Sequence, residues 1–175
     1  MSVFTGEIEK LATDWFRRCR ESQTVHYEYG SKLEKRHIWF GAASMILSTI
    51  VGTAVFSSWE LMSSDGWIRI LFGMLSIAAA STAALQTFLN FSDRSGEHKL
   101  AGASYGALRR ELELFKSVPP KTEEEALKSL ENIKLKMDEL AEKSPSVPSK
   151  LKSTIDERLK SKGHKRIYEL NLKTG

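Results

Sequence analysis

Two long stretches without a charged residue or a histidine dominate the hydrophobic pattern of the chain. The first covers residues 38–59 and the second covers residues 70–92. As an α-helix, each stretch would be about 33 Å long at roughly 1.5 Å per residue, enough for the ~30 Å hydrocarbon core of a bilayer. Two helices buried in a water-soluble core are the alternative, but two successive uncharged runs of this length favour membrane spans.

The segments that flank the two runs predict how they are oriented. The short linker of residues 60–69 contains Ser63, Ser64, Asp65 and Gly66, which favour a turn. Positive residues mark the cytoplasmic side of a span, and aromatic residues mark its ends. The positive residues outside the hairpin are Lys32, Lys35, Arg36, Arg94, Lys99, Arg109 and Arg110, and the aromatic ones at the span ends are Trp39, Phe40, Trp59 and Trp67.

This charge distribution predicts a transmembrane hairpin with both termini in the cytoplasm. The first 37 residues are polar and mixed in charge, so we expect no cleavable signal peptide.

Helical periodicity continues on both sides of the hairpin. The N-terminal stripe consists of Phe4, Ile8, Leu11 and Trp15, followed more weakly by Cys19, Val25, Tyr29 and Leu33. The stripe after the second span consists of Leu100, Ala101, Ser104, Leu108, Leu112 and Phe115. Gly102 and Gly106 within it favour close helix–helix approach. We therefore predict an antiparallel stalk. We expect the interleaved charges, Arg17 and Glu21 among them, to form a solvated face, with lipid headgroup contact near residues 32–36 as a secondary option.

The last third of the chain predicts two further helices. Thr122 and Glu125 form a capping-box pattern, and an apolar stripe runs from Leu127 to Leu140. A second helix is expected over residues 149–161, with Gly163 as its stop. Alternation in the tail gives a weak strand signal at Tyr168, Leu170 and Leu172.

These patterns together predict an all-α membrane protein, built from a two-transmembrane hairpin, a cytoplasmic helical stalk and C-terminal helices. Its segments are an N-terminal amphipathic helix (1–37), the hairpin (38–92), a cytoplasmic helix (93–117) and a helical extension (118–175).

Composition excludes several other functions. The chain has 26 lysines and arginines against 22 acidic residues, a net charge of +4 that does not call for nucleic acid. One cysteine and four scattered histidines offer no metal-ligand spacing, and no catalytic or phosphate-binding motif is present. Cys19 and His26 are seven residues apart and could share a helix face, but a buried thiol is the simpler interpretation. We therefore expect no enzyme activity, no metal and no cofactor.

Polar and small residues within the spans form the candidate site. Two interpretations stay open: these residues join helices, or they line a water-filled path that would require several copies of the chain. His37 and His98, expected at the cytoplasmic ends, raise the further option of pH sensing. The candidate pore or interface residues are Ser76, Ala79, Ala83, Gln86 and Asn90 on the second span, and Ser48, Thr49 and Thr53 on the first.

The order of these segments resembles a known family. A polar helix, a span ending in residues 47–56, a short loop and a second span rich in small residues are followed by residues 91–99 and 105–113. This arrangement over residues 10–117 resembles the SLATT family of bacterial two-transmembrane effector domains. The family-like cytoplasmic motif consists of His98, Tyr105, Arg109, Arg110 and Glu111.

The resemblance implies a membrane effector of bacterial antiphage or conflict systems, which oligomerises and permeabilises the inner membrane to cause cell death or dormancy. It implies as partners membrane lipid, further copies of the chain, and a sensor or nucleotide-signal-producing protein in trans. The alternative is a non-conducting membrane adaptor that docks a cytoplasmic partner through its soluble helices.

Overall fold

The computed structural model describes residues 6–57 and 66–164, with side chains for 6–54 and 66–164. Those residues form five α-helices and no strand, which confirms the all-helical prediction. Phe4, Trp59, the Ser63–Asp65 turn and the alternating tail lie outside the described residues. The helices are α1 (Gly6–Ser57), α2 (Gly66–Leu89), α3 (Phe91–Ser117), α4 (Glu123–Lys143) and α5 (Ser149–Ser161).

The predicted N-terminal helix and first span form one continuous helix, α1, of 52 residues. No proline interrupts this segment, so nothing removes a backbone N–H donor along it. α1 and the helix that begins at Gly66 are both long and apolar enough to cross a membrane. Their most apolar windows are 0% and 6% buried. A helix in the core of a water-soluble protein would be mostly buried instead.

The helix that follows the linker breaks at Asn90, within the predicted second span. Asn90 has a φ of 43°, in the left-handed region that asparagine tolerates better than most residues. Its side-chain amide donates a hydrogen bond to the Asp93 carboxylate at 2.8 Å, and its carbonyl accepts from the Arg94 N–H at 3.2 Å. α2 therefore ends at Leu89, and α3 starts at Phe91.

The described chain divides into two compact units. The helical unit comprises residues 6–30 and 96–164, and the hairpin unit comprises residues 31–57 and 66–95. In the helical unit, side chains of α1, α3 and α4 share one buried cluster that includes Ala12, Cys19, Leu112 and Leu130. α5 packs against Val25 of α1 through Leu151, Ile155 and Leu159.

The contacts between α1 and α3 confirm the predicted antiparallel pairing. A Cβ atom on Gly102 would lie 3.1 Å from the Tyr27 ring, and one on Gly106 would lie 2.7 Å from the Gln23 amide nitrogen. These distances confirm the close approach predicted from the two glycines. Leu100, expected on the seam, is 70% exposed, and the buried residues of this face include Ser95, His98 and Tyr105.

The predicted helix ends after α3 are confirmed. α3 stops before Pro119 and Pro120, and Gly163, with a φ of 84°, follows α5. Thr122 caps α4, because its hydroxyl oxygen accepts from the Glu125 N–H at 3.2 Å. The Glu125 carboxylate accepts from the Lys121 N–H, so only half of the expected capping box forms.

Loss of the Thr122 cap is expected to weaken α4. Thr122→Ala should lower the free energy of unfolding by about 1 kcal/mol, the usual cost of removing an N-cap hydroxyl. Urea unfolding of the full chain in detergent measures this. The control is Thr154→Ala, because the Thr154 hydroxyl only donates to a carbonyl of its own helix. Equal stabilities of the two variants would contradict the capping role.

Candidate functional site

The two helices of the hairpin unit meet along a regular seam. The less exposed positions follow alternating steps of three and four residues, as in a coiled coil. A Cβ atom on Gly41 would lie 3.1 Å from the Gln86 amide nitrogen, so Gly41 leaves room for the Gln86 side chain. The seam consists of His37, Phe40, Ser44, Leu47 and Val51 on α1, and Phe72, Leu75, Ala79, Thr82, Gln86 and Leu89 on α2.

The structure divides the predicted α2 stripe between two faces. Ala79 is 7% exposed, and Gln86 is half-buried, with its amide nitrogen 3.5 Å from the His37 Nδ1 atom. Both residues lie on the seam. Ser76, Ala83 and Asn90 are exposed and lie outside the seam.

The exposed members of the stripe belong to a second face of α2, which we call the small face. It also follows steps of three and four residues, and none of its side chains is large: Gly73, Ser76, Ala80, Ala83 and Thr87, with Asn90 at the same spacing directly after the helix. The remaining exposed surface of α2 combines small residues (Ala78, Ser81 and Ala84) with large apolar side chains, among them Trp67, Ile70, Met74, Ile77 and Phe88. α2 therefore presents a packed seam, a small face and a mixed exposed surface.

The polar residues predicted on the first span are also exposed. Ser48, Thr49 and Thr53 lie on the outer side of α1. The Thr49 hydroxyl donates to the Met45 carbonyl at 2.8 Å, and the Thr53 hydroxyl donates to the Thr49 carbonyl at 2.9 Å. Because these hydroxyls bond within their own helix, they do not require water.

A buried histidine pair joins α1 to α3 in the helical unit. The Nδ1 atoms of His26 and His98 are 3.0 Å apart, and the two residues are 5% and 2% exposed. Tyr105 stacks on the His26 ring at 5.6 Å, and the Tyr29 ring meets His98 edge-on at 4.7 Å. Burial, together with the charge of His98, lowers the pKa of His26 from 6.5 to about 4. His26 is therefore neutral at physiological pH.

A cavity of about 290 Å³ adjoins this pair within the helical unit. Glu21, Ser22 and His26 of α1 line one side, and Tyr105 lines another. The segment between α4 and α5 contributes Ser146 to the lining, and the start of α5 contributes Lys152. The lining mixes an acid, a base and hydroxyls, so its chemistry does not select one class of ligand.

Arg17 anchors α5 to α1 through a buried charge cluster. Its guanidinium donates to Glu21 at 2.5 Å, to the Asp156 carboxylate and to the His164 carbonyl at 2.9 Å. Arg17 is 3% exposed and Glu21 is 2% exposed. For Arg17 and Glu21 the expectation of a solvated face is wrong, because Asp156 and His164 supply partners from the far end of the chain. Further along α1, Lys32, Lys35 and Arg36 are exposed as expected.

Cys19 is completely buried, as its simpler interpretation predicted. Burial raises the pKa of its thiol to about 12, so the thiolate that a nucleophile requires does not form at neutral pH. The Nδ1 atom of His26 faces His98, not Cys19.

The family-like cytoplasmic motif spreads over several environments. His98 and Tyr105 are buried against His26 of α1. Arg109 is half-buried and Arg110 is exposed. The Glu111 carboxylate accepts from the Lys136 ammonium of α4 at 2.7 Å. His98 is thus buried within the helical unit, rather than exposed at the mouth of a path.

No family model, curated protein or solved structure matches the chain. A proposal about function therefore rests on the resemblance to SLATT domains and on the side-chain geometry of this chain.

Proposed function

We propose that the protein is a membrane effector of a bacterial antiphage or conflict system, resembling SLATT domains. In this proposal α1 and α2 span the inner membrane with both termini in the cytoplasm, and copies of the chain assemble through α2. Activation then permeabilises the membrane and leads to cell death or dormancy. The observation that carries the proposal is the small face of α2, an exposed row without a large side chain on a helix whose other exposed side chains include Trp67, Met74 and Phe88.

Physical chemistry explains why such a face favours assembly. Lipid tails solvate apolar side chains well, so spans associate mainly by close packing and by hydrogen bonds between helices. The glycine and alanine positions of the small face allow another helix to approach closely. Polar groups at membrane depth require a partner or water, and the Asn90 and Gln86 amides already meet Asp93 and His37 of the same chain, so the small residues carry the argument for assembly.

In this proposal the helical unit carries control rather than chemistry. It combines a buried charge cluster at Arg17 with the histidine pair, both of which hold α1 against other helices. We propose that a sensor or a nucleotide-signal-producing partner in trans acts on this unit. No catalytic role, metal or cofactor forms part of the proposal.

Membrane potential in bacterial cells tests the effector function directly. Inducing the parent protein should depolarise the inner membrane. Ser76→Leu/Ala83→Leu fills the small face and should abolish depolarisation while membrane insertion persists. The matched control is Ala78→Leu/Ser81→Leu, which makes the same two changes of residue type at exposed positions away from the small face. Equal depolarisation by both variants would contradict assembly through this face.

A groove on the helical unit supports the alternative of a non-conducting adaptor. It has a volume of about 410 Å³ between α3 and α4, and its lining includes Ala107, Leu108 and Leu140. Absence of depolarisation by the inserted parent would favour this alternative or a channel that awaits its activating signal. Ala107→Glu should then release a cytoplasmic partner. Removing residues 120–175 altogether is a poorer test, because α4 and α5 complete the core around α1.

A further inference from the structure

One side of α1 in the hairpin unit carries three cations followed by a tryptophan. Lys32, Lys35, Arg36 and Trp39 have the spacing i, i+3, i+4 and i+7, which places them on one face of the helix. All four are exposed, and the Trp39 side chain is 76% exposed. We call these four residues the basic face.

The cations of the basic face differ in their ion pairing from many exposed lysines of the helical unit. In α4, Lys134 pairs with Asp138 at 3.1 Å, and Lys143 pairs with Glu139 at 2.6 Å. Lys32, Lys35 and Arg36 form no ion pair within the described part of the chain. Their charge is therefore available to an external anion.

Neighbouring contacts place a fourth cation at the same end of the hairpin unit. His37 approaches Gln86, and the rings of Phe40 and Phe91 are 5.8 Å apart. Residues 37–40 therefore lie beside residues 86–91, and Arg94 lies towards the end that carries the basic face. Arg94 is also exposed.

Below the basic face, the same side of α1 becomes apolar. Ile46 and Ile50 follow Trp39 after seven and eleven residues and are 59% and 45% exposed. The order along this side is thus cations, an indole ring and then branched aliphatic side chains. Tryptophan prefers the boundary between headgroups and acyl chains, and this order reproduces the polarity profile of one lipid molecule.

We propose that the basic face binds the phosphate headgroup of an anionic phospholipid, with the acyl chains along Ile46 and Ile50. Each lysine or arginine near an anionic membrane surface contributes about fivefold in affinity, equivalent to about 1 kcal/mol. A soluble anion would use the cations but gain nothing from the exposed apolar side chains below them. This inference rests on the membrane-spanning part of the proposed function and is independent of permeabilisation.

Lipid competition with the full-length protein in detergent tests this inference. Fluorescent phosphatidylglycerol should bind, and unlabelled phosphatidylglycerol should displace it, whereas phosphatidylcholine and inorganic phosphate should not. Lys32→Gln/Lys35→Gln/Arg36→Gln should weaken binding about a hundredfold, as three cations at about fivefold each imply. The matched control is Lys121→Gln/Lys128→Gln/Lys162→Gln, which removes three exposed positive charges from the helical unit and should bind like the parent.

Several outcomes would overturn the inference. Equal displacement by phosphatidylcholine would show that charge does not select the lipid, and equal displacement by inorganic phosphate would show a site for a soluble anion. Parent-like binding by the Gln triple variant would exclude the basic face. Lys32→Arg/Lys35→Arg retains both charges and should bind like the parent, so its failure would also overturn the inference. Release of the parent from membranes at alkaline pH would instead refute membrane spanning itself.

Discussion

Arg17→Met is expected to lower the free energy of unfolding by about 3–5 kcal/mol. This range is typical when one partner of a buried ion pair is removed, because the other charge stays buried without compensation. Glu21 would lose its guanidinium at 2.5 Å, and Asp156 and the His164 carbonyl would lose the Arg17 donor. Lys160 would still pair with Asp156 at 3.0 Å, and Arg20 would still meet the His164 ring at 2.8 Å. Urea unfolding of the full chain in detergent, followed by circular dichroism, measures the change.

Two further variants separate this effect from a general loss of charge. Arg158→Met removes an exposed arginine that pairs with Glu28, and a surface pair contributes only about 0–1 kcal/mol. Arg17→Met/Glu21→Leu also removes the buried carboxylate and should recover part of the loss. Equal stabilities of Arg17→Met and Arg158→Met would contradict the buried role of Arg17.

The helical unit is expected to lose stability as the pH falls from about 6.5 to about 4. His26 has a lower pKa in the folded protein than in the unfolded chain, so the unfolded chain binds its proton first. The contribution of neutral His26 to stability is therefore complete above pH 6.5 and is lost as the pH falls towards 4. A shift from 6.5 to about 4 corresponds to roughly 3 kcal/mol.

Urea unfolding at a series of pH values, for the parent and for His26→Phe, measures this loss. The groups that face His26 are His98 and Tyr105 of α3, with Glu21 of α1 and Lys152 of α5 across the adjoining cavity. Phenylalanine keeps an aromatic ring at position 26 that can stack on Tyr105, but it cannot bind a proton. This variant should therefore show the smaller pH dependence. Identical pH dependence in both proteins would contradict the assignment to His26.

Local patterns predicted the helices well, because local residue types determine them. The Thr122 cap, the stop at Gly163 and the close approach at Gly102 depend on side chains within a few residues or on the absence of a side chain. The break at Asn90 has a visible signal in a residue that tolerates positive φ. The uninterrupted apolar pattern on both sides nevertheless favoured a longer span.

The buried charges could not be predicted in the same way. Arg17 lies on a buried face of α1 because Asp156 and His164, 139 and 147 residues away, supply its partners. A signal was present in the steps of three and four residues from Asp14 to Arg17 and Glu21, which place the three on one side of the helix. On an isolated helix that spacing equally fits a solvated face.

The sequence identified the residues of the candidate site, but it did not show that they lie on two different faces of α2. The polar and small residues of α2 were selected from the sequence, whereas the seam with α1 separates Gln86 and Ala79 from Ser76, Ala83 and Asn90. Helical spacing alone could not show which neighbouring face α1 covers, because two faces of α2 both contain small or polar residues at steps of three and four.

Cysteine cross-linking in membranes tests most directly whether copies assemble through the small face. In a Cys19→Ala background, Ser76→Cys places a thiol on this face, and Ser81→Cys places one at an exposed position outside it. Assembly through the small face predicts that oxidation joins two copies through Cys at position 76 and not at position 81. Equal cross-linking at both positions, or none at position 76 in the inserted protein, would contradict it.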